Sequence, residues 1–172
     1  MHRRLASYTL NLSIICLPSA CGFQLRRTSD TGMVVPDAWK SMHLITGNPN
    51  SEFSRSVQTQ FAANGVQWTN PKDANYRLTL GPERFSQRNL SLNSEARAAE
   101  FELTMRAQFT VRDTDNNEVM AATDVSVIRQ MENDPRNVVG KAEEVRILKS
   151  EMRTELAQQI MRRIGFFAAS TL

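Results

Sequence analysis

The chain has 172 residues, with 21 lysines and arginines against 18 aspartates and glutamates, a formal net charge of +3. Charges are mixed along its length without a basic block, which argues against a nucleic-acid partner. Two cysteines (Cys16, Cys21) and two histidines (His2, His43) are too few and too poorly spaced for a disulfide scaffold or a His/Cys metal centre.

The first segment reads MHRRLASYTLNLSIICLPSAC. Arg3 and Arg4 precede a mildly apolar stretch, Leu5 to Leu17, and Pro18-Ser19-Ala20 then supplies small or turn-forming residues. This is the layout of an export signal with a cleavage site. The apolar stretch is well short of the ~20 residues that span a bilayer, so a transmembrane anchor is the weaker reading. An ordinary export signal has no use for a cysteine at its end. Leu17-Pro18-Ser19-Ala20-Cys21 resembles a bacterial lipobox, departing from it in one place: the aliphatic residue stands four before the cysteine, with Pro18 in its usual slot. Lipidation consumes a thiol that would otherwise be a liability in an exported protein, and several acyl chains on one residue give stable attachment without a protein helix. Residues 1–20 are therefore expected to be a lipoprotein signal peptide and Cys21 the lipidation site. Gly22 after the cysteine resembles lipoproteins sent to the outer membrane. Cleavage removes Arg3 and Arg4 and leaves residues 21–172 with 19 basic and 18 acidic side chains. That near-neutral, single-domain chain is long enough to bury a core without disulfides or metals.

Residues 21–38 mix Gly, Ser, Thr, Asp and Pro and read as a lipidated tether. WKSMHLIT (39–46) alternates as a strand, GNPN turns, and Asn50 or Ser51 can cap a helix. In that helix Phe53, Val57 and Phe61 fall at i, i+4 and i+8, and Asn64-Gly65 supplies its stop. A second strand is expected within 66–85, clearest at Tyr76, Leu78 and Leu80. From 99 to 112 the sequence alternates strictly, with Phe101, Leu103, Met105, Ala107, Phe109 and Val111 on one face and polar residues on the other. The alternation resumes after DTDNNE (113–118) with Val119, Ala121, Val125 and Val127, giving a long antiparallel hairpin. A helix from about Val139 to Ile164 carries the stripe Val145, Leu148, Met152, Leu156, Ile160 and Ile164, and 166–172 follows as a short C-terminal tail. The expected fold is α+β: a single domain over 39–165, with a mixed four-stranded sheet and two helices packed on one face.

Chemistry is hard to place on this frame. His43 has no second histidine or cysteine near it for a metal, no serine stands in a nucleophile-elbow context, and the glycines are isolated rather than clustered in a phosphate loop. A non-catalytic protein is expected, with no cofactor apart from the covalent lipid on Cys21.

Four stretches taken in order carry a resemblance: CGFQLR (21–26), SRSVQTQFAANGV (54–66), AEFELTMRAQFTV (99–111) and DPRNVVGKAEE with EMRTELAQQIMRRI (134–144 and 151–164). Together they resemble the LptE (RlpB) family of LPS-assembly lipoproteins of Gram-negative outer membranes. The resemblance implies two helices on a four-stranded sheet. It also implies a partner, the large β-barrel LptD, in whose lumen the lipoprotein sits as a plug and whose assembly it assists. The complex inserts lipopolysaccharide into the outer leaflet, and lipopolysaccharide is the implied ligand. The protein would then be held at the outer membrane by its lipid, on the periplasmic side and within the barrel lumen. Barrel interiors are polar, and the polar face of residues 100–112 suits one as well as it suits water. Lys141 aligns with a family lysine at the start of the last helix and is the first candidate contact for lipopolysaccharide. Arg97 and Arg136 follow. A family basic residue ahead of Ala99-Glu100-Phe101 falls nearest Ser94 here, with Arg88 and Arg97 flanking it as substitutes. The alternative reading is a generic outer-membrane lipoprotein that binds another envelope component without a barrel partner.

Overall fold

The computed structural model describes residues 35–92, 98–133 and 138–171. Cys21 and the signal peptide, most of the expected tether, Arg97 and Arg136 lie outside the described residues. After a 3-10 turn at Asp37–Trp39 come β1 (Ser41–Thr46), α1 (Glu52–Ala63), β2 (Gln67–Trp68), β3 (Tyr76–Leu80), β4 (Arg84–Leu92), β5 (Ala98–Asp113), β6 (Glu118–Glu132) and α2 (Val138–Ser170).

Local chemistry sets the bounds of α1. The Ser51 hydroxyl accepts from the Ser54 N–H at 3.0 Å, an N-cap that satisfies one of the free amides of the first turn. At the other end Asn64 closes the helix and Gly65 takes φ 85°, a left-handed conformation open to glycine at no steric cost. The turn brings the chain to β2, which pairs parallel with the start of β1, and then to β3, which pairs parallel with β1 through the register Met42↔Tyr76 to Thr46↔Leu80. This β–α–β crossover is the parallel part of a mixed sheet. The rest is antiparallel: β3 and β4 both pair with one edge of β5, and β6 pairs with the other.

The sheet has six strands rather than the four expected. One difference is β2, only two residues long. The other is the joint at Gly81-Pro82. Gly81 N–H still donates to Gln108 O at 2.8 Å, but Pro82 has no N–H to offer, so pairing lapses and resumes at Arg84↔Arg106. Gly81 also approaches β5 closely: a Cβ there would stand 3.1 Å from Gln108 O. Beyond the joint β4, β5 and β6 continue as a three-stranded ribbon, past the end of the β1–β3 pair.

Alternation decides the faces. Met42, Leu78, Leu80, Leu103, Met105, Ala107, Phe109, Val111, Val125 and Val127 are buried on one side of the sheet, and both helices cover them. From α1 come Phe53, Val57 and Phe61; from α2 come Met152, Leu156, Ala157, Ile160 and Ile164, all at most 2% exposed. Side chains of this size each gain roughly 1.5–3 kcal/mol from full burial, which is what fixes the helices on that face. The long helix outruns the expected Val139–Ile164: Ala168 is buried and Phe167 meets Trp39 edge-on at 5.9 Å, so the residues expected as a tail continue α2 to Ser170. Trp39 in turn stacks on Tyr76 at 3.8 Å, and Val35, expected in the tether, already belongs to the core.

Candidate functional site: the end of the ribbon

Register brings four chain ends together at the far end of the ribbon. Leu92 of β4 pairs with Ala98 of β5, Glu132 of β6 pairs with Glu100, and α2 begins at Val138. The two segments that carry Arg97 and Arg136 are thus bounded by residues at the same end of the sheet, although neither arginine is among the described residues. Lys141, in the first turn of α2, lies there too. Its Nζ sits 4.1 Å above the centre of the Phe101 ring.

That contact follows from the pattern. Phe101 is an inward residue of β5, opposite Asn89 on β4 and Met131 on β6, and only half buried because the core thins toward the ribbon end. The apolar stem of a lysine covers such a ring while its ammonium stays wet. The arrangement recurs two turns along α2, where Lys149 Nζ lies 4.1 Å above the Phe85 ring of β4. Eight residues of helix separate the two lysines by on the order of 12 Å along the axis. The result is a strip of alternating cations and aromatic rings, suited to a ligand that is anionic at one end and apolar at the other. Between them Arg146 donates from Nε and Nη2 to Glu143 (2.8 and 2.6 Å), and those hydrogen bonds hold the Glu143 carboxyl below its ordinary range.

Arg88 is not part of this strip. It lies on the outer face of β4, where it faces Glu102 across the ladder, and the two close a bidentate pair with Nε–Oε1 at 2.7 Å and Nη2–Oε2 at 3.0 Å. The hydrogen bonds from Arg88, opposed by burial, hold the Glu102 carboxyl below its ordinary range. Because Phe101 and Glu102 point to opposite sides of β5, Arg88 and Lys141 stand on opposite faces of the ribbon. The remaining histidine, His43, is on the outer face of β1 with Nδ1 2.9 Å from Thr69 O. No group of acidic, histidine or cysteine side chains that could hold a metal is found among the described residues, and no described helix is long and apolar enough to cross a membrane.

Sequence reasoning missed Lys149 and Phe85. Their meeting depends on the register of β4 against β5 and on the path of α2 over both, neither of which the local pattern specifies.

The family model for LptE, described as lipopolysaccharide-assembly, matches residues 39–164. An LPS-assembly lipoprotein LptE of Yersinia pestis (strain Pestoides F) is 27% identical over 167 residues, which span 95% of this chain and 77% of that protein. The crystal structure of rare lipoprotein B from Shewanella oneidensis superposes with a TM-score of 0.68 at 23% identity, covering 76% of this chain and 97% of that one. The solution structure of a lipoprotein B from Nitrosomonas europaea gives 0.68 at 19% identity, covering 76% and 85%. At these identities the two structures speak to the fold alone, and they agree with it.

Proposed function

The chain belongs to the LptE lipopolysaccharide-assembly family, and from that premise we propose that it is a non-catalytic, lipid-anchored subunit of the outer-membrane lipopolysaccharide translocon. The observation that carries this reading is the family match over residues 39–164, which takes in every described strand, α1 and most of α2. In the proposal Cys21 bears the lipid, and the protein sits on the periplasmic side of the outer membrane and within the lumen of an LptD-type barrel. The long polar outer face of the sheet supports such a placement: Arg84, Ser86 and Arg88 on β4 and Arg106 and Gln108 on β5 are exposed, and barrel interiors are polar. Lipopolysaccharide joins phosphates to acyl chains. Lys141 and Lys149 over Phe101 and Phe85 offer it charge-assisted hydrogen bonds beside apolar rings.

The test is a mild-detergent pull-down of the tagged protein from outer membranes. A stoichiometric large β-barrel in the eluate is expected; elution alone would overturn the plug reading and leave a lipoprotein without a barrel partner. Lys141→Asp is expected to weaken lipopolysaccharide binding with an unchanged circular dichroism spectrum, and undiminished binding would remove Lys141 from the site. Cys21→Ser is expected to block acylation and processing, which fractionation reads directly.

A further inference from the structure

On the face of the sheet away from the helices, the lapse in pairing at Gly81-Pro82 opens a cleft of about 480 Å³, a size typical of small-molecule sites. Arg84 and Arg106 line it, together with Gln108, Asp124 and Ser126. Arg84 and Arg106 are direct partners across the β4–β5 ladder, and both side chains are exposed on the same face. Like charges in that relation repel. Neither arginine makes an ion pair among the described residues.

The next arginine along the strand shows that the pattern need not be this way. Four residues on, Arg88 faces Glu102 and the two close a bidentate pair. At Arg84 the partner is a second arginine instead. Asp124 is the one carboxylate lining the cleft, and its Oδ1 accepts from Gln108 Nε2 at 3.4 Å rather than from a guanidinium. The cleft therefore holds two cations and one anion, a net positive charge in a concave site, with an amide and a hydroxyl at hand as further polar partners. Local arrangements that oppose stability are concentrated at functional sites, and this one is set in a cleft.

We propose that this cleft is a phosphate-binding site, in which Arg84 and Arg106 together clamp one phosphate monoester. Two guanidiniums facing one another across neighbouring strands can each donate to the same group, since a phosphate presents several acceptor oxygens and guanidinium matches them two at a time. The bound dianion removes the repulsion between the arginines, so ligand and fold stabilise one another. The site lies on the opposite face of the sheet from Lys141 and Lys149, and it stands whether or not those lysines contact lipopolysaccharide.

The experiment is titration of the full-length chain, in an uncharged detergent at fixed ionic strength, with inorganic phosphate and with glucosamine 1-phosphate. Phosphatidylcholine vesicles with and without phosphatidylglycerol form a separate arm. Saturable one-to-one binding of both soluble phosphates is expected, weakened at least about tenfold by Arg84→Gln or by Arg106→Gln, as loss of a charged hydrogen-bond donor implies. Asp124→Asn tightens binding by removing the opposing carboxylate. The Arg84→Gln/Arg106→Gln double variant melts no lower than the parent in phosphate-free buffer. Absence of saturable binding, binding indifferent to both arginines, or binding confined to phosphatidylglycerol vesicles overturns the proposal. So does a double variant that melts lower without phosphate, which would assign the arginines to the fold.

Discussion

Arg153 joins three elements through one guanidinium, and its removal tests how the helices are fixed to the sheet. From the middle of α2 its Nε lies 2.8 Å from each carboxylate oxygen of Glu83, in the β3–β4 joint, and its Nη1 pairs with Glu52 at the start of α1. The Arg153 side chain is 17% exposed, Glu83 26% and Glu52 65%. Those values set the magnitude. Hydrogen bonds to charged groups contribute about 1.5–3 kcal/mol when shielded, whereas a largely solvated ion pair contributes under about 1 kcal/mol. Arg153→Met keeps most of the apolar stem and removes the charge, leaving Glu83 without its partner at partial burial. The cost falls below the ~3–5 kcal/mol of a fully buried broken pair, and about 2 kcal/mol is expected. Urea unfolding followed by circular dichroism, run as a double-mutant cycle with Glu83→Gln, should give a coupling of about 1–2 kcal/mol; the cycle with Glu52→Gln should give less than about 0.5 kcal/mol and vanish in high salt. A coupling to Glu83 as small as that to Glu52 would refute the reasoning, since burial would then not be what separates the two.

Two further predictions rest on single environments. Leu156 is fully buried between α2 and the sheet, so Leu156→Ala should lower the urea midpoint at unchanged slope by about 3 kcal/mol of stability; a loss under about 1 kcal/mol would mean that the site collapses around the deletion. Arg88 depresses the Glu102 carboxyl below its ordinary 4.5, so the pair contributes stability above that pH and loses it as pH falls through the lower folded value. Arg88→Gln should raise the Glu102 titration midpoint, read by carboxyl carbon shifts, and flatten the acid limb of the stability curve; an unmoved midpoint would show that the pair does not persist in solution.

The parts of the fold that were legible are those where one residue settles a local question. Ser51 and Gly65 bound α1, the strict alternation from Phe101 to Val111 marks β5, and the stripe from Val145 to Ile164 marks α2. β4 escaped because its inward positions are Phe85, Gln87 and Asn89, opposite Met105, Leu103 and Phe101: one apolar residue in three gives no period of two. The single strand expected within 66–85 is instead two, β3 ending at Leu80 and β4 starting at Arg84 on either side of Gly81-Pro82. The helix expected to end near Ile164 runs on through Gly165 and Ala168, both buried, to Ser170. The site was legible to a lesser degree. Lys141 came from the family resemblance, but the ring beneath it, the partner of Arg88 and the confrontation of Arg84 with Arg106 are all matters of register between strands, which composition along one strand does not encode.

Running β3 and β4 in series along one edge of β5 leaves the ribbon with open sides. Among the described residues β4 pairs with no strand but β5, and the same holds for β6, although α2 reaches the outer flank of β6, where Gln159 Nε2 donates to Ser126 O and Arg163 Nη1 to Asp124 O. Such margins invite self-association, because a second chain can continue the ladder. Here the ladder is interrupted at Asn89/Ser91 and Ser91/Leu92 on the β4 side and at Phe109/Val111 and Val111/Arg112 on the β6 side. Each irregularity bends its strand and shifts its register, shortening the straight run that an incoming backbone could match. The irregularities that blur the pattern in the sequence thus also help to keep one copy of the ribbon from templating another.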